Sequence, residues 1–251
     1  MFYTNGSYQG IVAETYDIWW HGDIFFDTQF YEKLMNEVPG LALEIGCGTG
    51  RLLLPYLSAG FEVEGVDCSE DMLDTCRLKA KEKDLSPVLY QQYMQELDLP
   101  RKYKTIFIPL ASFMLVAERE EAMSVLSKLY LLLEEGGQVV IPLFIPKDAE
   151  KKEWTVGASG KRNDGSEVMV SSTSTINYLE QLQTKVERYE IIRDHELIET
   201  KFYTMKLRWY YKYEFMMMLE KFGFKDISIY GGYHFQPLND DQNFMIFRAR
   251  K

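Results

Sequence analysis

The chain has 251 residues, 46% of them hydrophobic, which suffices for one large α/β domain with a decoration or for two small domains. Its formal net charge is −10, and the excess lies in residues 1–146, where 22 Asp+Glu face 11 Lys+Arg. With no basic stripe there is no electrostatic footprint for a phosphate backbone, so a nucleic-acid partner is not expected.

No long apolar run is present, so neither a membrane-spanning helix nor a membrane partner is expected. MFYTNGSYQG lacks the basic and apolar regions of a secretory leader. Cys47, Cys68 and Cys76 show no metal or redox spacing, so no metal site is expected, and an odd number of thiols suits a reducing, cytoplasmic location.

Residues 7–20 (SYQGIVAETYDIWW) read as an N-terminal helix with aromatic ends, and Asp27 to Glu37 as a second helix closed by the Pro39-Gly40 turn. A strand, Leu41 to Ile45, then runs into a loop carrying Gly46, Gly48 and Gly50. A helix (Arg51 to Ala59, with Gly60 at its C′ position) and a second strand (Glu62 to Asp67) follow. Glycines let the backbone approach a ligand, the helix N-terminus offers free N–H donors, and a carboxylate about 20 positions on can accept both ribose hydroxyls. This unit is expected to hold an adenosine-containing ligand at the carboxyl ends of parallel strands. The spacing is G-x-G-x-G, with Arg51 in the place of the third dinucleotide glycine, and no P-loop pattern is present, so neither a dinucleotide nor a nucleoside triphosphate is favoured.

Ser69 is expected to cap a helix from Glu70 to Lys83, with Met72, Leu73 and Cys76 on its apolar face. Strands are predicted at Val88 to Gln91 and Thr105 to Leu110, a helix at Arg119 to Leu133, and a strand at Gln138 to Phe144 after the Gly136-Gly137 turn. From Trp154 to about Lys206 the helical period gives way to alternation, as in Glu167 to Thr173 and Val186 to Ile192, with a hairpin turn at Asn163-Asp164-Gly165. Three or four inserted antiparallel strands are expected there. Tyr211 to Phe222 reads as a helix ending at Gly223, and Ile227 to Tyr230 and Phe244 to Arg248 as the last two core strands.

E-I-G-C-G-T-G (Glu44 to Gly50) followed by V-D-C-S-E-D-M-L (Val66 to Leu73) resembles the class I S-adenosylmethionine-dependent methyltransferases. Leu89 to Leu99, Tyr103 to Phe113, Leu131 to Pro142 and Lys221 to Tyr230 extend the resemblance over most of the chain, and His195 to Tyr233 is similar to small-molecule members. The resemblance implies an α/β, Rossmann-like, doubly wound fold with a seven-stranded, mostly parallel sheet. Residues 1–145 and 207–251 would form this core with an N-terminal helical cap. Residues 146–206 would form an antiparallel β insertion that closes over the acceptor or builds a homodimer; a passive sheet extension is the plain alternative. The activity implied is methyl transfer from S-adenosylmethionine, with S-adenosylhomocysteine as product, to a small-molecule acceptor. A protein or RNA acceptor and a non-enzymatic binding or partner module stand as alternatives.

Under the resemblance Gly46, Gly48 and Gly50 meet the methionine portion and ribose, with the small Cys47 packed in the same loop. Glu44 orients the amino end, and Asp67 accepts the ribose hydroxyls. Arg51 either pairs with the methionine carboxylate or caps a surface helix. Cys68 and Met72 border the adenine; Met94 and Gln95 read its edge, with Tyr93 standing where many relatives carry Asp. Leu110 and Ala111 lie beside the sulfonium. Pro109-Leu110-Ala111-Ser112 matches no Asp/Asn-Pro-Pro-aromatic motif and there is no Pro-Cys nucleophile, which again favours a small acceptor. His21, His195, His234 and the tyrosines are the candidate bases, with His234 and Tyr16 put forward, although a lone His more often packs or faces solvent. Tyr16, Trp19, Trp20, Phe113, Trp209 and Tyr213 are candidate acceptor-pocket walls, each of which could equally serve the core.

Overall fold

The computed structural model describes residues 8–19, 26–146, 151–162 and 164–251. In chain order the elements begin with α1 (Ile11–Trp19), α2 (Thr28–Glu37), β1 (Ala42–Ile45), α3 (Leu53–Ser58), β2 (Val63–Asp67), α4 (Glu70–Glu82), β3 (Leu89–Gln91) and β4 (Tyr103–Phe107). There follow α5 (Arg119–Leu132), β5 (Leu133–Phe144), β6 (Lys151–Lys161), β7 (Glu167–Asn177), β8 (Leu182–Arg193), β9 (Glu196–Arg208), α6 (Lys212–Lys221), β10 (Lys225–Tyr230) and β11 (Phe244–Arg250). Short 3-10 turns occupy Met94–Glu96 and Pro109–Leu115.

The strands form a seven-stranded sheet in the order β10-β11-β5-β4-β1-β2-β3, and a separate four-stranded sheet in the order β6-β7-β8-β9. β1 pairs in parallel with β2 and β4, whereas β11 runs antiparallel to both β5 and β10. The chain reverses strand order at β1, and in open α/β sheets such a switch point opens a crevice outside the carboxyl ends of the strands. Alternate residues of β5 serve opposite faces. Val139, Ile141 and Leu143 join Leu126 and Phe215 in the core under α5 and α6, and Val140 joins Phe30, Leu54 and Leu73 in the core under α2, α3 and α4.

The insertion is a meander of four antiparallel strands. α1 packs Ile11 and Val12 against Val168, Val170, Tyr189, Ile191, Tyr203 and Met205 on one face of that sheet. Gly160 makes this approach possible, since a Cβ there would collide with Ile18. A buried aliphatic side chain contributes about 2 kcal/mol, against about 0–1 kcal/mol for part-exposed ion pairs such as Arg162–Glu14. The apolar stripe therefore docks α1, and the ion pairs set its register.

The sequence expectations need several corrections. The first helix starts at Ile11, while Ser7, Trp20, His21 and Asn163 lie outside the described residues. The helix expected from Arg51 begins at Leu53, after a turn. β4 stops at Phe107 rather than Leu110, because Pro109 lacks a ladder donor and Leu110 and Ala111 adopt left-handed φ values of 53° and 61°. β5 begins at Leu133 and runs through Gly136 and Gly137 with a register shift. A Cβ on Gly137 would lie 2.9 Å from the Glu134 carbonyl oxygen and 3.1 Å from that of Tyr103, so the glycine lets the bulge lie flat on β4. Ser69 caps α4 as expected, accepting from the Met72 N–H at 3.3 Å.

Candidate functional site

A cavity of about 850 Å³ lies at the carboxyl ends of β1, β2 and β4. Its floor is the glycine loop, where Gly46, Gly48 and Gly50 have φ of 75°, 53° and 82°. The Gly46 and Cys47 N–H groups both donate to the Val66 carbonyl, at 2.7 and 3.0 Å. The Gly48 N–H donates to Asp67 Oδ2 at 2.8 Å and the Ser69 N–H to Oδ1 at 2.9 Å. The Gly46, Cys47 and Gly48 N–H groups are thus spent on the end of β2. What the loop offers is a fixed carboxylate. Burial pushes the Asp67 carboxyl above its usual range, against the opposing pull of the backbone N–H groups.

Glu44, on β1, is 2% exposed. Burial holds its carboxyl well above the usual range, opposed chiefly by the Arg51 guanidinium and a backbone N–H from Leu53. Its Oε2 has no hydrogen-bond partner. A buried, unpartnered carboxylate oxygen on a cavity wall is costly unless a ligand donor meets it.

Arg51 lines the same cavity, with its fork closed on Asp27 by two 2.7 Å bonds. It caps no helix. Asp27 is fully buried and spends its carboxylate on Arg51, not on capping α2. Tyr8 and Tyr16 form the roof, their rings 6.0 Å apart at 86°. Burial lifts the Tyr16 phenol to about 12. Cys68 is likewise lifted to about 12 by burial and remains a thiol. The roof is pinned to α4. Gly10 N–H donates to Asp71 Oδ2 at 2.7 Å, Ser69 Oγ to the Tyr8 carbonyl at 2.6 Å, and Lys79 pairs with Asp17 at 2.5 Å.

Of the residues proposed from sequence, Tyr16, Glu44, Gly46, Cys47, Gly48 and Arg51 line the cavity, as do Asp67, Cys68, Met72, Met94, Gln95 and Leu110. Two do not. Gly50 faces the protein interior, where a Cβ would meet Cys76 Sγ at 2.7 Å and Leu54 Cγ at 2.8 Å. His234 is exposed on the loop after β10, because its neighbour Tyr233 turns inward against Phe30 and Phe244. His195 is exposed in the β8–β9 turn. The aromatic walls also divide: Phe113 packs on Tyr210 and Phe215, Trp209 is buried away from the cavity, and Tyr213 is 69% exposed. Trp19 packs among the insertion residues, outside the cavity lining.

Sequence reasoning missed Tyr8, Ser112, Glu118 and Glu121, and the part of β9 from Thr204 to Leu207 that forms the far wall. No local signal marks these residues, because tertiary contact brings them to the cavity. Among the described residues no three metal-ligating side chains converge, and no helix is long and apolar enough to cross a membrane.

The profile of a methyltransferase domain matches residues 42–137, the segment that builds β1 through the start of β5. A putative methyltransferase of Geobacillus sp. is 33% identical over 128 residues, 43% of this chain and 52% of that protein, so the chain spans about half the length of this curated relative. An uncharacterized methyltransferase of Bacillus cytotoxicus is 32% identical over 158 residues, covering 60% of this chain and 72% of that one. Among solved structures, the CcbJ methyltransferase of Streptomyces caelestis superposes over 99% of both chains with a TM-score of 0.78 at 23% identity. The sugar N-methyltransferase KedS8 of Streptoalloteichus sp. superposes over 100% of this chain and 99% of that one, with a TM-score of 0.74 at 18% identity. The two structural likenesses establish the fold, insertion included. With the glycine loop, the fixed Asp67 and a relative matched over most of its length, they lead to one assignment: the chain belongs to the class I S-adenosylmethionine-dependent methyltransferase family.

Proposed function

We propose that this chain transfers the methyl group of S-adenosylmethionine to a small-molecule acceptor. The observation that carries the reading is the Asp67 carboxylate, held by the Gly48 and Ser69 N–H groups at the end of β2 and facing the cavity. It stands where a ribose diol needs a two-oxygen acceptor.

The residues present fit the cofactor. Glu44 Oε2, buried and unpartnered, suits the amino group of its methionine portion. Arg51, whose charge is shared with Asp27, sits beside Glu44 on the side expected for the carboxylate. Cys68, Met72 and the Tyr93–Gln95 segment supply an apolar slot with a polar edge for adenine. When bound, S-adenosylmethionine supplies a methyl group already activated by the sulfonium charge.

What remains for the chain is to align the acceptor and exclude water. Leu110, Leu115, Phe144 and Leu207 provide apolar walls for that, and β9 and α1 close the cavity from above. Tyr16 lines the cavity and can orient a ligand there. The sugar N-methyltransferase among the structural neighbours supports a small acceptor. A nucleic-acid acceptor is disfavoured by a lining with five carboxylates (Glu44, Asp67, Glu96, Glu118 and Glu121) and two cations (Arg51 and Lys206).

Calorimetric titration with S-adenosylmethionine and S-adenosylhomocysteine, with NAD as control, tests the reading. Micromolar binding of the first two and none of NAD is expected. No binding of either by the folded protein would move the chain to the non-enzymatic class.

A further inference from the structure

Resting on that reading, we infer that Ser112 is a positioning residue. Its hydroxyl locks the turn of residues 109–112 in a left-handed conformation, and the locked turn shapes the wall that meets the sulfonium end of S-adenosylmethionine. Leu110 (φ 53°, ψ 29°) and Ala111 (φ 61°, ψ 26°) are consecutive left-handed residues, and both line the cavity. This conformation drives Cβ towards the following carbonyl oxygen, so it is costly for residues other than glycine and, to a lesser degree, Asn or Asp. Among the described residues one other consecutive pair, Asp194 and His195, has positive φ. That pair is the β8–β9 hairpin turn, where the geometry is the favoured one and both side chains belong to types that tolerate it. Leu110 and Ala111 close no hairpin and bring no such side chain, so their own preferences do not choose this turn.

Strain of this kind persists where the surroundings over-determine it, and it gathers at functional sites. Here the surroundings can be named. Pro109 fixes its own φ as the chain leaves β4. Ser112 Oγ donates to the Pro109 carbonyl oxygen at 2.9 Å, a bond that spans the left-handed pair. The Ser112 side chain also lies against the glycine loop, since a Cβ on Gly46 would stand 3.3 Å from Ser112 Oγ. Downstream, Phe113 and Met114 are buried in the core, and Met114 Sδ accepts from the Phe144 N–H at 3.4 Å. Pro109 and Met114 therefore hold the ends of the segment, and the Ser112 hydroxyl holds the pair between them.

The place of the turn gives the strain a use. Gly46 lies between Glu44, which suits the amino end of the cofactor, and Gly48, whose N–H holds Asp67 for the ribose. In S-adenosylmethionine the sulfur joins those two parts. A turn seated on Gly46 thus faces the sulfur and the methyl group it carries. S-adenosylhomocysteine lacks that methyl and its positive charge. A wall fitted to the sulfonium end sets the balance between the two ligands, whereas a general loss of stability weakens both alike.

The test is calorimetric titration of the full chain with each ligand, in wild type, S112A and S112A/A111G, with folding checked by circular dichroism. S112A is expected to bind S-adenosylmethionine about fivefold more weakly, the order of one net hydrogen bond. Its affinity for S-adenosylhomocysteine should stay within about twofold of wild type. Glycine enters the left-handed region freely, so A111G added to S112A should restore the ratio of the two affinities. An unchanged ratio in folded S112A, an equal loss for both ligands, or a double variant whose ratio stays that of S112A overturns the inference. Should S112A not fold, the double variant decides alone: a wild-type ratio supports the lock, and an altered ratio or a second failure to fold overturns it. Binding of neither ligand by the wild-type protein instead overturns the functional reading on which the inference rests.

Discussion

Three side chains on the cavity wall carry opposite kinds of cost. Asp67 is half-buried and satisfied by backbone donors, so its value is in ligand binding. Asp67→Ala is expected to weaken S-adenosylhomocysteine binding by about 2 kcal/mol, the loss of charge-assisted hydrogen bonds; unchanged affinity in a folded variant would remove Asp67 from the site. Glu44 is buried with one oxygen unpartnered, and its folded-state pKa lies well above the ordinary carboxylate value. A carboxyl raised in the folded state binds more protons folded than unfolded, so stability falls as pH rises through the interval between the two values. Glu44→Gln should therefore raise the Tm of the ligand-free protein near neutral pH and flatten its fall with rising pH, while weakening cofactor binding. A Tm that drops in the variant would contradict the assignment. Arg51 and Asp27 form a pair with side-chain exposures of 12% and 0%. Arg51→Met leaves a buried carboxylate alone and should cost about 3 kcal/mol in urea unfolding, far more than loss of a surface pair.

At the scale of elements, glycines decide which segments can touch. Gly60 and Gly50 both have positive φ, but a Cβ at Gly60 meets nothing within 4 Å, whereas at Gly50 it meets Cys76 and Leu54. Alanine at Gly60 should cost only the left-handed backbone penalty, about 1 kcal/mol. Alanine at Gly50 should cost about 2 kcal/mol more, through overpacking between α3 and α4. Because Gly50 does not line the cavity, its effect on cofactor affinity should follow the lost stability and not a lost contact; chemical denaturation beside calorimetry separates the two. Gly160 plays the same part between β6 and α1, since it lies against Ile18. A bulky residue there should lift α1, and with it Tyr8 and Tyr16, and so weaken cofactor binding without touching the glycine loop.

Over the whole molecule, α1 is one of the pieces that join the two sheets. It packs on the insertion through Ile11 and Val12, reaches α4 through Asp17 and Lys79, and presents Tyr16 to the cavity. A ligand that fills the cavity stabilises whatever encloses it, by mass action. Hydrogen exchange in α1 is accordingly expected to slow on S-adenosylhomocysteine binding, while α6, which packs on the far side near Phe247, stays unchanged. Equal protection of both helices would mean that α1 is no part of the enclosure.

The sequence by itself determined the order and kind of the elements, the glycine loop and Asp67. Each depends on periodicity or on neighbours close along the chain, and even the Gly48–Asp67 contact spans only 19 positions across one strand-helix-strand unit. It also carried the insertion, because alternation survives without knowledge of what the strands pack on. Only the tertiary structure decided which aromatic side chains face the cavity and which the core, as Phe113 and Trp209 show against Tyr8 and Tyr16. It alone paired Arg51 with Asp27, turned His234 outward, and brought Glu118, Glu121 and β9 to the cavity rim. Those placements follow from how elements dock, through contacts as distant in sequence as Arg162 with Glu14, and periodicity records that a residue is buried without recording what it is buried against.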